Sequence, residues 1–316
     1  MTVLLRRALI IGVVLSAAGV GVAAEPSPVV GGGYVSPTHL KVAPGQVVTV
    51  FVPGVATGIE GPIHASGPTL PNELAGIAVT LHQSRGTSPL PVPMFAIEPW
   101  ETCSAGLFLA CTSERLAAIT VQIPFELSTN DPGGTVIGGS EAMLVVSEAG
   151  VESAGFRVIP AIDQIHVLNS CDTAIPFGYL GSPCEPVVTH GDGSRVSPSS
   201  PARGNEVLVL YAFGLGRPVG DVSTGSPAPA PIAIEGLRVR FDFGVSLEPS
   251  VPPPDGAPTP EYAGLVQGLI GLYQINVRIP EIPIDTPPCT GAVASNLAIS
   301  VGGPWSFDGA RVCVEP

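Results

Sequence analysis

A histidine, a carboxylate and a hydroxyl lie within five residues of one another, at His190, Asp192 and Ser194. These are the groups that a serine hydrolase uses, but a catalytic triad depends on how they converge in space. Its nucleophile normally lies on a strained turn of the G-x-S-x-G type, which the chain lacks. Neighbouring side chains on one hairpin also tend to point apart. We therefore interpret the segment as a polar turn and predict no catalytic residue, with a hydrolase using His190 as a remote alternative.

Histidines are the next candidates for chemistry, as metal ligands. The chain has five of them, scattered along its length: His39, His64, His82, His166 and His190. No His-x-His, His-Glu-x-x-His or Cys-x-x-Cys spacing occurs, so we predict no transition-metal site and no cofactor. Calcium stays open, because an acidic exported protein can gather carboxylates from loops that are distant in sequence.

Six cysteines in an exported chain are most simply explained by three disulfides. Proximity in sequence favours the pairs Cys103–Cys111, Cys171–Cys184 and Cys289–Cys313. The last pair has a geometric argument as well. The segment Leu297–Phe307 is typical of a hairpin that turns at Gly302-Gly303, which would bring the two flanking cysteines together. Zinc is the competing interpretation of the cysteines.

Two tryptophans, Trp100 and Trp305, could stack on sugar rings, which makes a carbohydrate-binding module the alternative function. Aromatic residues form only 5% of the chain, and both tryptophans lie beside prolines and near cysteines. A tryptophan packed over a disulfide explains that placement without a ligand. We list both only as possible ligand contacts.

The N-terminus indicates export. Arg6-Arg7, the apolar run Ala8–Val22 and the small residues Ala23-Ala24 follow the plan of a signal peptide, so we predict one over residues 1–24. An uncleaved anchor is the alternative, but the run is short for a membrane span. We expect a secreted or periplasmic protein that does not insert into the membrane after cleavage.

The net charge of −13 argues against two classes of partner. Nucleic acids and anionic membranes are bound mainly through lysine and arginine, so an acidic chain is a poor match for either. We predict an unknown protein or glycan at the cell exterior as the partner.

Composition and repetition together predict the fold. The 36 prolines and 39 glycines interrupt the chain too often for long helices, and β-branched residues dominate between them. Lys41–Leu81 and Pro201–Phe241 carry the same apolar patterns in the same order, and the matching continues from Ala117–Pro124 to Leu272–Pro280. We therefore predict an all-β protein of two tandem β-sandwich domains, produced by an internal duplication.

The predicted strands of the two halves follow the alternation of apolar and polar residues. In the first half they are Val47–Val52, Ile77–Leu81, Met94–Ile97, Ile119–Ile123, Ala142–Val146 and Phe156–Ile159. In the second half they are Glu206–Tyr211, Leu237–Phe243, Glu261–Leu265, Leu272–Ile279, Leu297–Val301 and Ala310–Val314.

The predicted domain boundaries place a flexible lead-in at 25–40, the first sandwich at 41–160, a bridging segment at 161–200 and the second sandwich at 201–316. The bridge is expected to form a hairpin, because Asp192-Gly193 is a strong turn signal. The repeated residues are strand fillers, turn glycines and strand-ending prolines. Function is therefore expected where the halves differ: Glu98–Arg115, the bridge, and the proline-rich loop before Glu261.

Two motifs carry a family resemblance, LYAFGLG at Leu210–Gly216 and GLYQINVRIP at Gly271–Pro280. With the segment from His190 onwards, they resemble the Solibacter-type C-terminal domains of secreted acidobacterial proteins, which look like bacterial extracellular Ig-like modules. The resemblance is weaker in the first half. It implies an Ig-like fold and export, and it supplies no catalytic residue. We expect a secreted, non-enzymatic protein with a structural, adhesive or protein-binding role.

Overall fold

The computed structural model describes residues 29–31, 40–83, 88–101, 115–129, 142–170, 172, 185–243, 251–290, 295–302 and 306–316. All regular structure within these ranges is β-strand, as the composition predicts. None of these residues belongs to a helix that could cross a membrane. The predicted signal peptide lies outside the described residues, as do Cys103, Cys111, Cys171, Cys184, Trp305 and His39.

The first half contains eleven strands. They are β1 (Val29–Gly31), β2 (Leu40–Val42), β3 (Val47–Pro53), β4 (Ile63–His64), β5 (Glu73–Leu74), β6 (Ile77–Gln83), β7 (Leu90–Pro91), β8 (Met94–Glu101), β9 (Arg115–Gln122), β10 (Ala142–Glu148) and β11 (Val151–Pro160).

The second half contains eleven more. They are β12 (His166–Val167), β13 (Val188–His190), β14 (Ala202–Arg203), β15 (Val207–Phe213), β16 (Ile232–Ala233), β17 (Leu237–Asp242), β18 (Tyr262–Leu265), β19 (Tyr273–Arg278), β20 (Ser295–Val301), β21 (Phe307–Val312) and β22 (Val314–Glu315).

The strands of the first half form two sheets, in the orders β1-β3-β9-β8-β4 and β2-β11-β10-β6-β5, with β7 also on β6. All neighbours are antiparallel except β2 and β11, which run parallel. Because side chains alternate between the two faces of a strand, Val48, Val50 and Val52 of β3 all enter one buried cluster. Ile77, Val79 and Leu81 of β6 enter the same cluster.

The second half repeats these pairings. Strands β15, β19 and β18 pair as β3, β9 and β8 do, and β17, β20 and β21 pair as β6, β10 and β11 do. The parallel pair β14-β22 corresponds to β2-β11. A second buried cluster lies within this half, and it includes Leu208, Leu210 and Ala212 of β15.

Two expectations about connecting segments need correction. Val29–Gly31 lies in the lead-in that was expected to be flexible, yet it pairs with β3, because its two valines suit a strand edge. The insertion expected at Glu98–Arg115 begins later and ends earlier than predicted. Trp100 pairs with Leu116 and Glu101 with Arg115, so β8 and β9 extend into it.

The bridging segment packs on the second half. Both β12 and β13 pair with β15, and Ile165, Val167 and Val188 are buried in the second cluster. The chain turns at the predicted Asp192-Gly193, where the His190 N–H donates to the Ser194 carbonyl at 2.8 Å.

Polar contacts join the two halves end to end. The buried Gln122 side chain accepts a hydrogen bond from the Gly225 N–H at 2.7 Å, and Thr224 Oγ1 accepts one from the Phe125 N–H at 3.0 Å. Arg217 donates to the Phe125 carbonyl. Phe125 itself is buried in the cluster of the second half, so the halves share core as well as hydrogen bonds.

Tyr273 illustrates why the motif residues recur. Its ring is fully buried, and its hydroxyl donates to the Gly216 carbonyl, as its position in an apolar strand predicts. Gly216 has a φ of 90°, and a Cβ there would lie 2.4 Å from the Ile162 carbonyl oxygen. Only glycine fits at this position. Tyr211, the tyrosine of the other motif, is half-buried.

Candidate functional site

Among the described residues, the outer edge of β17 has no strand paired with it. Strand β17 pairs with β20 on one side. The Val239 N–H donates to the Pro258 carbonyl at 2.8 Å, so the backbone groups of Val239 point away from β20. Alternation directs the N–H and C=O of Phe241 to the same outer edge. Across the described ranges, the bond to Pro258 is the one backbone hydrogen bond that reaches this edge.

An apolar groove of about 520 Å³ lies beside this edge. Phe241 and Phe243 line it with their rings stacked, 5.9 Å between centroids and 12° between planes. Pro254 and Pro258, from the proline-rich loop before Glu261, also line the groove. A concave apolar surface with polar groups at its margin is the usual form of a binding site.

Charged side chains surround the groove in pairs. Arg278 Nε donates to Glu261 Oε1 at 2.6 Å, and Arg240 lies 3.8 Å from Asp242 on the same face of β17. The pair Arg240–Asp242 is partly exposed, with side-chain exposures of 34% and 48%. Such a long, solvent-screened pair contributes little to stability.

The equivalent edge in the first half is closed. Strand β6 occupies the position of β17, and its outer side pairs with both β5 and β7. The Val92 N–H adds a further hydrogen bond to the Val79 carbonyl, at 2.9 Å. Among the described residues, the unpaired outer edge of β17 therefore distinguishes the second half from the first.

Sequence reasoning found part of this site. The proline-rich loop before Glu261 was singled out because it differs between the halves, and it lines the groove. Phe241 and Phe243 were missed. Their signal was two aromatic residues two positions apart at the end of an alternating strand, in a chain with few aromatic residues.

Among the described residues, the His190 side chain hydrogen-bonds neither Asp192 nor Ser194, although its backbone N–H donates to the Ser194 carbonyl. Asp192 Oδ1 instead accepts hydrogen bonds from the Ser194 N–H at 2.9 Å and from its hydroxyl at 2.7 Å. This is the polar turn that was predicted. His190 meets two residues that sequence reasoning did not name. Its Nδ1 lies 2.5 Å from Glu206 Oε1, and its Nε2 lies 3.2 Å from the Ser200 hydroxyl.

Glu206, His190 and Ser200 line a polar cavity of about 630 Å³. Their chemistry favours a structural contact between β13 and the start of β15 over a catalytic triad. Burial lowers the pKa of His190, yet the hydrogen bonds to Glu206 and to the Ser200 carbonyl, 3.1 Å away, outweigh it and raise that pKa. The Glu206 carboxylate and the Ser200 carbonyl can only accept hydrogen bonds, so a ring that donates to both has no lone pair with which to take the proton of Ser200.

The backbone around Ser200 offers no oxyanion hole of the usual kind. The Ser200 N–H donates to the Ser197 carbonyl at 3.0 Å, and Pro201 has no N–H. A hydrolase needs backbone donors aimed at the reacting carbonyl oxygen. The residues adjoining Ser200 therefore do not complete the site.

A second histidine is held between two carboxylates. His166 Nε2 lies 2.9 Å from Asp172 Oδ1, and its Nδ1 lies 3.5 Å from Asp308 Oδ2. Burial lowers the pKa of His166, but the hydrogen bonds and charges of the two aspartates raise it to about 9. Asp308 also accepts a hydrogen bond from the Val167 N–H at 2.7 Å. The cluster fastens the start of the second half to β21, and no group of described side chains is arranged to hold a metal ion.

The remaining predicted site residues that are described make contacts within the fold. Trp100 is half-buried and packs edge-to-face on Phe51, with 5.3 Å between ring centroids. Cys289 and Cys313 form a disulfide with their Cα atoms 5.2 Å apart. It flanks the hairpin of β20 and β21, as the sequence predicts.

Comparisons with known proteins add no relative. A scan of the chain against protein-family models finds no match, and a search of curated proteins finds none either.

Proposed function

We propose that this protein is an exported, non-enzymatic protein of two Ig-like sandwiches that binds a protein partner through the open edge of β17. The observation that carries the proposal is the contrast between the halves: the edge of β6 is closed by β5 and β7, while that of β17 borders an aromatic groove. An extended segment can add to such an edge through its backbone and place side chains in the groove.

The strand order supports the Ig-like part of the proposal. The order β1-β3-β9-β8 corresponds to strands A, B, E and D of an Ig sandwich, and β6-β10-β11 corresponds to C, F and G. In the second half, β15-β19-β18 and β17-β20-β21 take the same places.

Duplication is supported at the level of single hydrogen bonds. Gln46 Oε1 accepts from the Ala43 N–H at 2.7 Å, and Glu206 Oε2 accepts from the Arg203 N–H at 2.9 Å. Each residue directly precedes the B strand of its half. Two copies of one ancestral turn explain the shared geometry.

The proposal is tested by blocking the edge. Phe241→Pro removes an N–H that β20 does not use, and Phe241→Val keeps that N–H as a matched control. We expect the wild-type secreted protein, used as bait on the exterior fractions of native cells, to retain a partner that Phe241→Pro loses and Phe241→Val keeps at least in part. Equal capture by Phe241→Pro and the wild type would contradict the proposal.

A hydrolase is the second candidate, favoured by the single observation that His190 lies between Glu206 and Ser200. A panel of glycoside, ester and peptide substrates separates the two functions. We expect no turnover by the wild type. Robust turnover that disappears in Ser200→Ala would establish the hydrolase and overturn the non-enzymatic proposal.

A further inference from the structure

Three side chains of the second half follow one another in the order carboxylate, imidazole and hydroxyl. Glu206 Oε1 lies 2.5 Å from His190 Nδ1, and the Ser200 hydroxyl lies 3.2 Å from His190 Nε2. The ring therefore connects the carboxylate to the hydroxyl through its two nitrogens. In this order a carboxylate can orient a histidine as general base toward a nucleophile.

The proton on Nε2 decides what the His190 ring does to Ser200. While both nitrogens are protonated, Nε2 donates to the Ser200 carbonyl, 3.1 Å away. The neutral ring keeps its Nδ1 proton, because Glu206 accepts it, and Nε2 then offers a lone pair to the Ser200 hydroxyl. Glu206 and Asp192 are the negative charges that hold the proton and raise the pKa of His190 above 6.5, and Arg203 is the positive charge on the same cavity wall. The base therefore forms on the alkaline side of pH 6.5.

Ser200 is accessible to a reagent. Its side chain is exposed and lines the polar cavity of about 630 Å³. Within the described part of the chain, its hydroxyl has no hydrogen-bond partner besides His190. A small electrophile can therefore reach the Ser200 oxygen without displacing a packed side chain.

The backbone at Ser200 restricts this chemistry to a single transfer. The Ser200 N–H is bound to the Ser197 carbonyl, and Pro201 has no N–H, so these two residues supply no oxyanion hole. An activated donor compensates when Ser200 attacks it, because its leaving group departs easily. The ester formed on Ser200 has only the serine alkoxide as its leaving group, and water removes it slowly.

We propose that Ser200 is a covalent modification site that takes one acyl group from an activated ester, with His190 as the base and Glu206 as the residue that positions it. The Ser200 oxygen forms a bond to the acyl carbon, the bond from that carbon to the leaving group breaks, and the leaving group departs with the electron pair. The Ser200 proton passes to His190 Nε2 and from there to water. The inference does not depend on the β17 edge.

A fluorophosphonate, which replaces the acyl carbon by phosphorus, tests the nucleophile. The secreted product of the full-length gene is treated with an alkyl fluorophosphonate from pH 6 to pH 10, and the adduct is located by peptide mass spectrometry. Ser200 is expected to gain one phosphonyl group with loss of fluoride, at a rate that rises to a plateau with a midpoint above pH 6.5. His190→Gln is expected to lower the plateau rate by about 100-fold.

Ser199→Ala is the matched control for accessibility. Ser199 lines the same cavity, but its hydroxyl lies 3.0 Å from the Ser197 hydroxyl and meets no base there. This variant is expected to react like the wild type, whereas Ser200→Ala should lose the adduct. Equal labelling of Ser199 and Ser200 in the wild type would overturn the inference, as would a rate at Ser200 that neither pH nor His190→Gln changes.

Glu206→Gln separates a positioning role from a structural one. Gln46 has the matching place in the first half and accepts a hydrogen bond from the Ala43 N–H, so glutamine is compatible with this turn. Loss of the carboxylate charge lowers the pKa of His190, and the midpoint of the labelling rate is expected to move to lower pH. An unchanged midpoint would rule out the role of Glu206.

An activated ester tests the single transfer. With p-nitrophenyl acetate at pH 9, the wild type is expected to release about one equivalent of p-nitrophenolate more than Ser200→Ala and then to stop. Continued release that requires Ser200 would support the nucleophile but overturn the single transfer and establish a hydrolase. Absence of both the burst and the phosphonyl adduct would overturn the inference and leave the protein-binding proposal for β17 as it stands.

Discussion

His166 connects the pH of the medium to the stability of the second half. It lies on β12, and its two carboxylate partners belong to a loop and to β21. Its pKa is raised to about 9 in the folded state and returns to about 6.5 on unfolding. The folded state therefore holds the proton more tightly, and that preference stabilises the fold wherever the proton is bound.

The sign of the pH effect follows from this difference in pKa. The stabilisation is complete below pH 6.5 and is lost as the pH rises through about 9. The free energy of unfolding is expected to fall by about 3 kcal/mol across this window, and His166→Gln should flatten the decline. Urea titrations at pH 6, 7.5 and 9 measure it. His64→Gln, at an exposed position on β4, is the control and should lose stability with pH as the wild type does. A loss of the same size in His166→Gln would contradict the assignment of the pH effect to His166.

Asp163 titrates at the lower end of this pH range, so the comparison of pH 7.5 with pH 9 reports His166 without it. Burial raises its pKa, the hydrogen bond from Ser306 and the charge of Lys41 lower it, and the balance lies at about 6. The stabilisation that the fold gains from the proton on Asp163 is complete below pH 3.8 and is lost as the pH rises through about 6. The decline assigned to His166 lies above that range.

At the scale of elements, the long strands could be predicted because their side chains alternate. In β15, Leu208, Leu210 and Ala212 are buried while the residues between them are not, and this period of two is visible in the sequence. Strands β5 and β7 have two residues each and carry no such pattern. The closed edge of β6, and hence its contrast with β17, therefore needed the structure.

The polar site shows the same limit. His190 could be recognised as a chemical group, and so could its polar turn. Its partners Glu206 and Ser200 lie ten to sixteen residues away and meet it because β13 pairs with the start of β15. Convergence of that kind depends on tertiary pairing, which local spacing does not encode.

The disulfide acts on the β20-β21 hairpin. Cys289 and Cys313 close a loop with a sequence separation of 24, which limits the freedom of the unfolded chain. We expect the double variant Cys289→Ser/Cys313→Ser to lose about 3 kcal/mol of unfolding free energy. Urea denaturation of the non-reduced proteins measures this loss, and an unchanged transition midpoint would show that the bond contributes little.

At the scale of the whole molecule, the two halves differ in the residues at and just after the C-terminal ends of β9 and β19. In the first half this end carries Gln122 and Phe125, which are buried against the second half. The matching positions in the second half are Arg278 and Glu281, whose side chains are exposed. Gln122 and Phe125 are neutral and can be buried against the neighbouring half. The charged residues at the matching positions favour contact with water. The second half therefore does not repeat the residues with which the first half forms the joint.

Glycine at position 271 allows that joint to close. A Cβ there would lie 2.8 Å from both the Gly45 carbonyl oxygen and Val47 Cγ2, and its φ is +69°. Gly268 has a φ of +79° with no atom within 4 Å of its ideal Cβ. Both alanine substitutions carry the same backbone strain, so the difference between their losses of stability reports the contact between the halves.

We expect Gly271→Ala to lose at least about 1 kcal/mol more unfolding free energy than Gly268→Ala. We also expect it to broaden thermal unfolding, because the halves then melt less cooperatively. Differential scanning calorimetry of the two variants tests both effects, and equal losses would mean that the joint contributes nothing to stability.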